Sequence, residues 1–270
     1  MAVMSTKPEL LIRQDDGAVA IVTLNSPANI NALSEAMLAA LIDALDEIAA
    51  DSSVRALILR SAGAQFCAGH NLKEMTARRA DADGGRQYFE DLFATCAAMM
   101  LRIVRLPQPV IAEVKGVATA AGCQLVAACD LAAASNEARF ATSGVNIGLF
   151  CSTPMVALSR NIARKQAMEM LLLGEFISAE RAEALGLINQ VVARDALEET
   201  TRQMAEAIAQ KSPAAIRLGK RAFYDQLEMP LADAYAHAGR VMAENMMAAD
   251  AAGGIGAFIA KQPMPVWQGT

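Results

Sequence analysis

The sequence predicts an α/β fold in which parallel strands are joined by helical crossovers. Short runs rich in β-branched residues alternate with segments whose apolar residues recur at helical spacing. The central runs are apolar throughout, as expected for strands covered on both faces. With 270 residues, 54% hydrophobic and 20% charged, and no fixed-period repeat, the chain can bury one sizeable core.

The elements follow in order. Residues 10–13 and 19–24 read as strands about the turn Asp15, Asp16 and Gly17, a hairpin. Ser34 caps a helix whose Met37, Leu38, Leu41, Leu45 and Ile48 share one face. Residues 54–61 (VRALILRS) form a strand buried on both faces, and residues 88–104 a helix stopped by LPQP. Residues 109–114 and 131–135 are further strands. Beyond Thr153 the pattern turns helical at 155–164, 167–173, 178–185, 197–210, 213–226, 231–247 and 254–261, with one strand at 187–192. The expected division is a core over residues 1–200 and a C-terminal helical region over 201–270. That region carries Met242, Met246, Met247 and Phe258, more apolar surface than a small appendage can bury. Either neighbouring subunits or the main core must cover it.

Composition excludes several classes of function. A net charge of -5, from 24 basic and 29 acidic residues, argues against a nucleic-acid partner bound by a basic face. The start MAVMSTKPELLIRQDD lacks the pattern of a secretory signal, and no run is long and apolar enough to span a membrane. A soluble, cytoplasmic protein is expected, without a membrane partner. The five cysteines (67, 96, 123, 129 and 151) are unpaired in spacing and set in apolar sequence, so buried thiols are expected and neither a disulfide framework nor a metal site. The two histidines, His70 and His237, weaken the metal reading further.

Two places share one architecture. VRALILRSAGAQFCAGHNLKEM runs from a strand through Ala68 and Gly69 into a helix start, and VIAEVKGVATAAGCQLVAAC runs from a strand through Ala120, Ala121 and Gly122 into another. Small residues let a ligand approach the main chain, and a helix start leaves amide hydrogens without internal partners. Two such donors converging on one oxygen would stabilise negative charge developing there. Neither turn has the spacing of a nucleotide-binding loop.

The segments LNSPANINALS, QFCAGHNLKEM, PVIAEVKGVATAAGCQLVAACDLAAASNEARFA, IGLF and AMEMLLLGEFISAERAEALGLINQVV resemble, in order and spacing, the enoyl-CoA hydratase/isomerase or crotonase superfamily. The resemblance spans about residues 10–261. It implies a crotonase-like fold of repeated ββα units with a C-terminal helical trimerisation region, and trimers that often pair into hexamers. It implies a coenzyme A thioester as ligand, with coenzyme A entering as part of the substrate and no permanently bound cofactor. The thioester oxygen would be held by the backbone amides of His70 and Ala121. The acyl-CoA path would run past Ala28, Ile30, Ala68, Asn71 and Leu72, with Ser143 and Ile147 beside it. Lys73, and Phe258 and Lys261 of a neighbouring subunit, would lie near the nucleotide end.

The family's hydratases place glutamates where this chain has Gln124 and Gly144. Glutamine exchanges no proton near neutral pH, and glycine has no side chain. Glu113, the His70 imidazole, Cys123, Cys151, Ser143 and Ser152 are the candidate replacements, and Asp130 reads as structural. Three functions stay open: an enzyme of the lyase or isomerase type relying on enolate stabilisation, an ordinary hydratase with relocated acids, and an acyl-CoA binder without turnover.

Overall fold

The computed structural model describes residues 9–270. The opening hairpin pairs β1 (Leu11–Asp16) antiparallel to β2 (Val19–Leu24), with Gly17 at φ +60° in the turn. β1 runs three residues beyond its apolar signal because it is an edge strand whose last residues face solvent. α1 (Glu35–Ala50) starts where Ser34 Oγ accepts the Met37 amide at 3.1 Å, and it buries the five residues that the spacing placed on one face. β3 (Ala56–Ser61), α2 (Leu72–Ala77) and α3 (Arg86–Arg105) follow, and α3 ends at the prolines as expected.

The central stretch supplies β4 (Val110–Val114), β5 (Val117–Thr119), α4 (Ala121–Ala128), β6 (Leu131–Ser135) and β7 (Arg139–Ala141). Then come α5 (Pro154–Asn161), α6 (Arg164–Leu173), β8 (Ile177–Ser178), α7 (Ala179–Leu185) and β9 (Gln190–Val192). Four helices close the chain: α8 (Leu197–Ala209), α9 (Pro213–Leu227), α10 (Leu231–Met246) and α11 (Ala249–Ile259).

The large sheet has the order β1-β2-β3-β4-β6-β9, parallel except at the hairpin. Its strands alternate between two apolar layers. Leu57 and Leu59 of β3 enter the main core, while Ala56 and Ile58 join Ile111 of β4 and Ala205 of α8 behind the sheet. The boundary expected at residue 200 therefore falls inside a helix that covers the sheet. A second sheet, β5-β7-β8, was not anticipated. Its strands are two or three residues long, too short to display a period, and β5 lies within the stretch read as a turn.

α9 is clamped to the core through Asp130. Its carboxylate accepts from the Val110 amide at 2.7 Å, Lys220 Nζ at 2.6 Å and the Tyr224 hydroxyl at 2.9 Å. The structural expectation for Asp130 is met. Beyond this clamp the apolar residues lose their cover: α10 buries no residue, and Met247, Phe258 and Ile259 are at least three-quarters exposed. Of the two expected covers, the main core is not the one.

Candidate active site

The first turn is held by the loop before α1. Asn31 is fully buried at φ +49°, a conformation that asparagine tolerates better than most residues. Its Oδ1 accepts the Ser26 amide at 2.8 Å, and its Nδ2 donates to the carbonyls of Ala62, Gln65 and Phe66 at 3.0–3.1 Å. The Ala68 amide donates to the Ile30 carbonyl at 3.0 Å, and the Leu33 amide to the Gly69 carbonyl at 2.8 Å. Ile30 thus braces the turn, while Ala28 lies exposed in the short helix Pro27–Asn29 before it. Gly69, at φ +89°, redirects the chain so that the His70 amide donates to no protein acceptor.

The second turn is stitched to the first. The Phe66 and Cys67 amides both donate to the Val117 carbonyl at 3.0 Å, and the Thr119 amide donates back to the Cys67 carbonyl at 3.0 Å. A Cβ at Gly122 would lie 2.2 Å from the Cys67 carbonyl oxygen, so only glycine lets the two main chains meet. Ala120 carries the turn at φ +50°, ψ −120°, and Ala121 opens α4 with an amide that has no acceptor. A Cβ at Gly69 would lie 3.1 Å from the Ala121 nitrogen. The positive φ falls on Ala120, leaving Ala121 in helical geometry, where alanine is unstrained.

Both turns open on one cavity of about 460 Å³, lined by Ala68, His70, Leu72, Ala120, Ala121, Ser143, Gly144 and Ile147 among others. Met75 of α2, Phe93 of α3 and residues 149–154 complete its mostly apolar wall. Thr119 Oγ1 and Ser143 Oγ share a hydrogen bond of 2.8 Å at its edge. Sequence reasoning missed Met75, Phe93, Thr119 and Asn31. The two cavity apolars carry no signal beyond that of ordinary helix residues, and the spacing of asparagines in NSPANIN is the one signal that could have singled out Asn31.

Not every expected residue reaches this cavity within one chain. Asn71 caps α2, its Oδ1 accepting the Lys73 amide at 3.1 Å and its Nδ2 donating to Glu74 at 2.9 Å. Lys73 is exposed on the same helix, and Phe258 and Lys261 lie on and just after α11, outside the cavity lining. Gln124 sits one turn into α4, buried, with Oε1 unpartnered.

Glu113 is excluded as a base at this site. β4 turns its side chain to the α8 side, where it is buried and accepts from Thr201 Oγ1 at 2.8 Å. Burial pushes its carboxyl above the ordinary range, with the Thr201 bond opposing.

At Gly144 the absence of a side chain is enforced. A Cβ there would lie 2.4 Å from the Leu149 carbonyl oxygen and 2.9 Å from Cys151 Sγ. The five cysteines are all buried and unbonded. Burial raises the Cys151 thiol and pushes Cys123 up to about 12, so neither is a ready nucleophile. The His70 ring lies edge-on to Phe93 at 5.6 Å between centroids, and both ring nitrogens are buried without a partner. Burial holds its imidazole below the ordinary range; the Leu33 carbonyl opposes this without reaching hydrogen-bonding geometry.

Parallel strands that each turn sharply into a helix, two such turns sewn together beside one apolar cavity, and a trailing group of uncovered helices are the architecture of enoyl-CoA hydratases and isomerases. The model of the enoyl-CoA hydratase/isomerase family matches residues 14–270, and the chain belongs to that family. Within it, the chain groups with enoyl-CoA hydratase domain-containing protein 3. It is 46% identical to the mitochondrial protein of that name from Xenopus laevis over 258 residues, covering 96% of this chain and 86% of the relative. The crystal structure of the human protein superposes with a TM-score of 0.91 at 42% identity, covering 96% and 100% of the two chains. An enoyl-CoA hydratase from Mycobacterium smegmatis gives the same TM-score at 54% identity, covering 96% and 99%.

The crotonase fold expected from the sequence is thereby established. The cytoplasmic expectation is corrected: the Xenopus and human relatives are named mitochondrial, so the start of the sequence does not decide the compartment.

Proposed function

We propose that the chain binds acyl-CoA thioesters, holding the thioester oxygen between the His70 and Ala121 amides, and acts through enolate stabilisation rather than efficient hydration. The observation that carries this reading is a pair of unpartnered amides on adjoining turns beside a mostly apolar cavity. Removing one donor of such a pair typically costs about 10²–10³ in rate, so an intact pair is a substantial catalytic resource. Water addition needs a group to activate water and another to protonate the α-carbon. Gln124 supplies neither, and the packing of Leu149 and Cys151 against Gly144 leaves no room for the second carboxylate.

Coenzyme A enters as part of the substrate, and no other cofactor is required by this chemistry. The exposed faces of α10 and α11 are proposed to pack in a homotrimer or a hexamer, bringing Phe258 and Lys261 of one subunit to the coenzyme A of the next.

Calorimetric titration with a non-reactive acyl-CoA analogue tests the binding, and crotonyl-CoA hydration followed at the enoyl absorbance tests the chemistry. Expected are saturable binding and hydration at least about 10⁴-fold below that of a glutamate-bearing hydratase, two acid/base groups being lost. Absence of binding removes the reading, and hydration at an ordinary rate removes its enolate part.

A further inference from the structure

We infer that the His70 imidazole is the proton-transferring group of this site, and that the reaction it serves is removal and return of a proton at the α-carbon of an acyl-CoA thioester. The inference rests on the thioester reading above and goes beyond it by giving the histidine side chain, and not only its amide, a task.

The first ground is elimination. Among the described residues no Asp, Glu, Lys or Arg lines the cavity; the groups there able to exchange a proton are His70 and Cys151. Cys151 is poorly suited, because burial favours its neutral thiol. Hydroxyls such as Ser143, already engaged with Thr119, need a base of their own.

The second ground is an unmet requirement. A buried polar atom without a hydrogen bond costs roughly 1–3 kcal/mol, yet both His70 ring nitrogens are buried and unpaired, on a residue that lines the cavity and whose ring packs on Phe93. Most buried side-chain polar atoms have a hydrogen-bond partner, and neither nitrogen of this ring has one in the protein.

The third ground is electrostatic. Leu72 and Met75 of α2, Phe93 of α3, Ala121 of α4 and the 143–154 segment line the cavity with His70 and bring no charged side chain to it. The neutral imidazole is favoured, so the ring has a free lone pair to act as a base.

The step balances without a further reagent. An unprotonated ring nitrogen takes the α-proton. The C–H electron pair becomes the carbon–carbon π bond of the enolate, and the carbonyl π pair moves to the oxygen between the two amides. The imidazolium then returns a proton, to the same carbon in simple exchange, or to the γ-carbon of a 3-enoyl thioester, which shifts the double bond to the 2-position. One base suffices for such a shift, whereas hydration also needs a water activated at the β-carbon.

The test is deuterium incorporation at the α-carbon of butyryl-CoA in heavy water, followed by mass spectrometry, with binding of a non-reactive acyl-CoA measured alongside. The wild-type chain should exchange, with a rate that rises with pH through a midpoint below the ordinary histidine range. His70→Gln keeps the amide and should bind the analogue within a few fold while losing about 10²–10⁴ in exchange. His70→Asn provides a second, smaller neutral replacement with the same expected loss. Either variant exchanging like wild type while bound would overturn the assignment, as would a wild-type chain that binds but never exchanges. A chain that fails to bind would overturn the thioester reading itself.

Discussion

At the scale of single residues, the site is defined as much by what has no room to be present as by what is there. Gly144 stands where the sequence resemblance places an acid of the family's hydratases, and the neighbouring Leu149 carbonyl fills the space that any Cβ would need. Gly144→Glu is therefore expected to fail twice. It should not restore crotonyl-CoA hydration even when combined with Gln124→Glu, and it should destabilise the fold by about 1–3 kcal/mol through overpacking, read as a lowered denaturant midpoint. A stable double variant with ordinary hydratase rates would show that the 149–151 segment yields easily.

Ala120 gives the opposite case. Its φ of +50° is sparsely populated for a residue with a Cβ, and such strain costs about 1–3 kcal/mol. Ala120→Gly relieves it and gives back part of the gain as unfolded-state entropy. Net stabilisation of about 1 kcal/mol is expected by denaturant titration, and unchanged or lower stability would place the strain elsewhere. Both small-residue turns were legible in the sequence, because Gly and Ala gathered between a strand and a helix mark a close approach to the main chain. Which residue takes the positive φ was not legible, since that depends on how Gly122 meets Cys67 across the two turns.

At the scale of elements, legibility followed length and burial. α1 and β3 were read correctly because each shows an uninterrupted pattern, one of helical period and one apolar throughout. β5, β7 and β8 were missed because two or three residues cannot show any period, and their existence depends on pairing between segments distant in the chain. Glu113 shows how an element decides a residue's role. Its place in β4 alternates it away from the cavity and under α8, where a carboxyl is costly to ionise.

The folded-state pKa of Glu113 lies above the unfolded one, so between the two values the folded chain binds more protons. Its contribution is therefore most favourable below the unfolded value and is lost as pH rises through the folded one. Glu113→Gln keeps an acceptor for Thr201 and removes the ionisation. The variant should gain thermal stability over wild type at neutral pH, with the gap narrowing as the medium is acidified toward the ordinary carboxylate range. A gap that widens on acidification would mean that the ionised carboxylate is favoured beneath α8.

At the scale of the whole molecule, the C-terminal helices leave an apolar face uncovered. The cavity proposed for the acyl end of a thioester is lined by no residue of the C-terminal helices. Those helices meanwhile expose Leu231, Tyr235, Met242, Met246, Met247, Phe258 and Ile259, each more than half accessible. Apolar faces of this size mark interaction sites, and the homotrimer or hexamer proposed above would cover this one with closed symmetry. The apolar load was legible in the sequence, and its exposure was not, because exposure follows from α10 packing mainly along α9 and not onto the sheet.

Two linked consequences follow if Phe258 and Lys261 serve the neighbouring site. Light scattering should give three or six times the chain mass. Met242→Glu combined with Met246→Glu, on the face of α10 and far in sequence from both turns, should yield a folded monomer with native circular dichroism. That monomer should bind the acyl-CoA analogue at least about tenfold more weakly, a loss of about 1.4 kcal/mol, because the nucleotide end of the ligand loses its contacts while the two amides remain. A monomer with undiminished affinity would show that each chain completes its own site, and would confine the role of α10 and α11 to assembly.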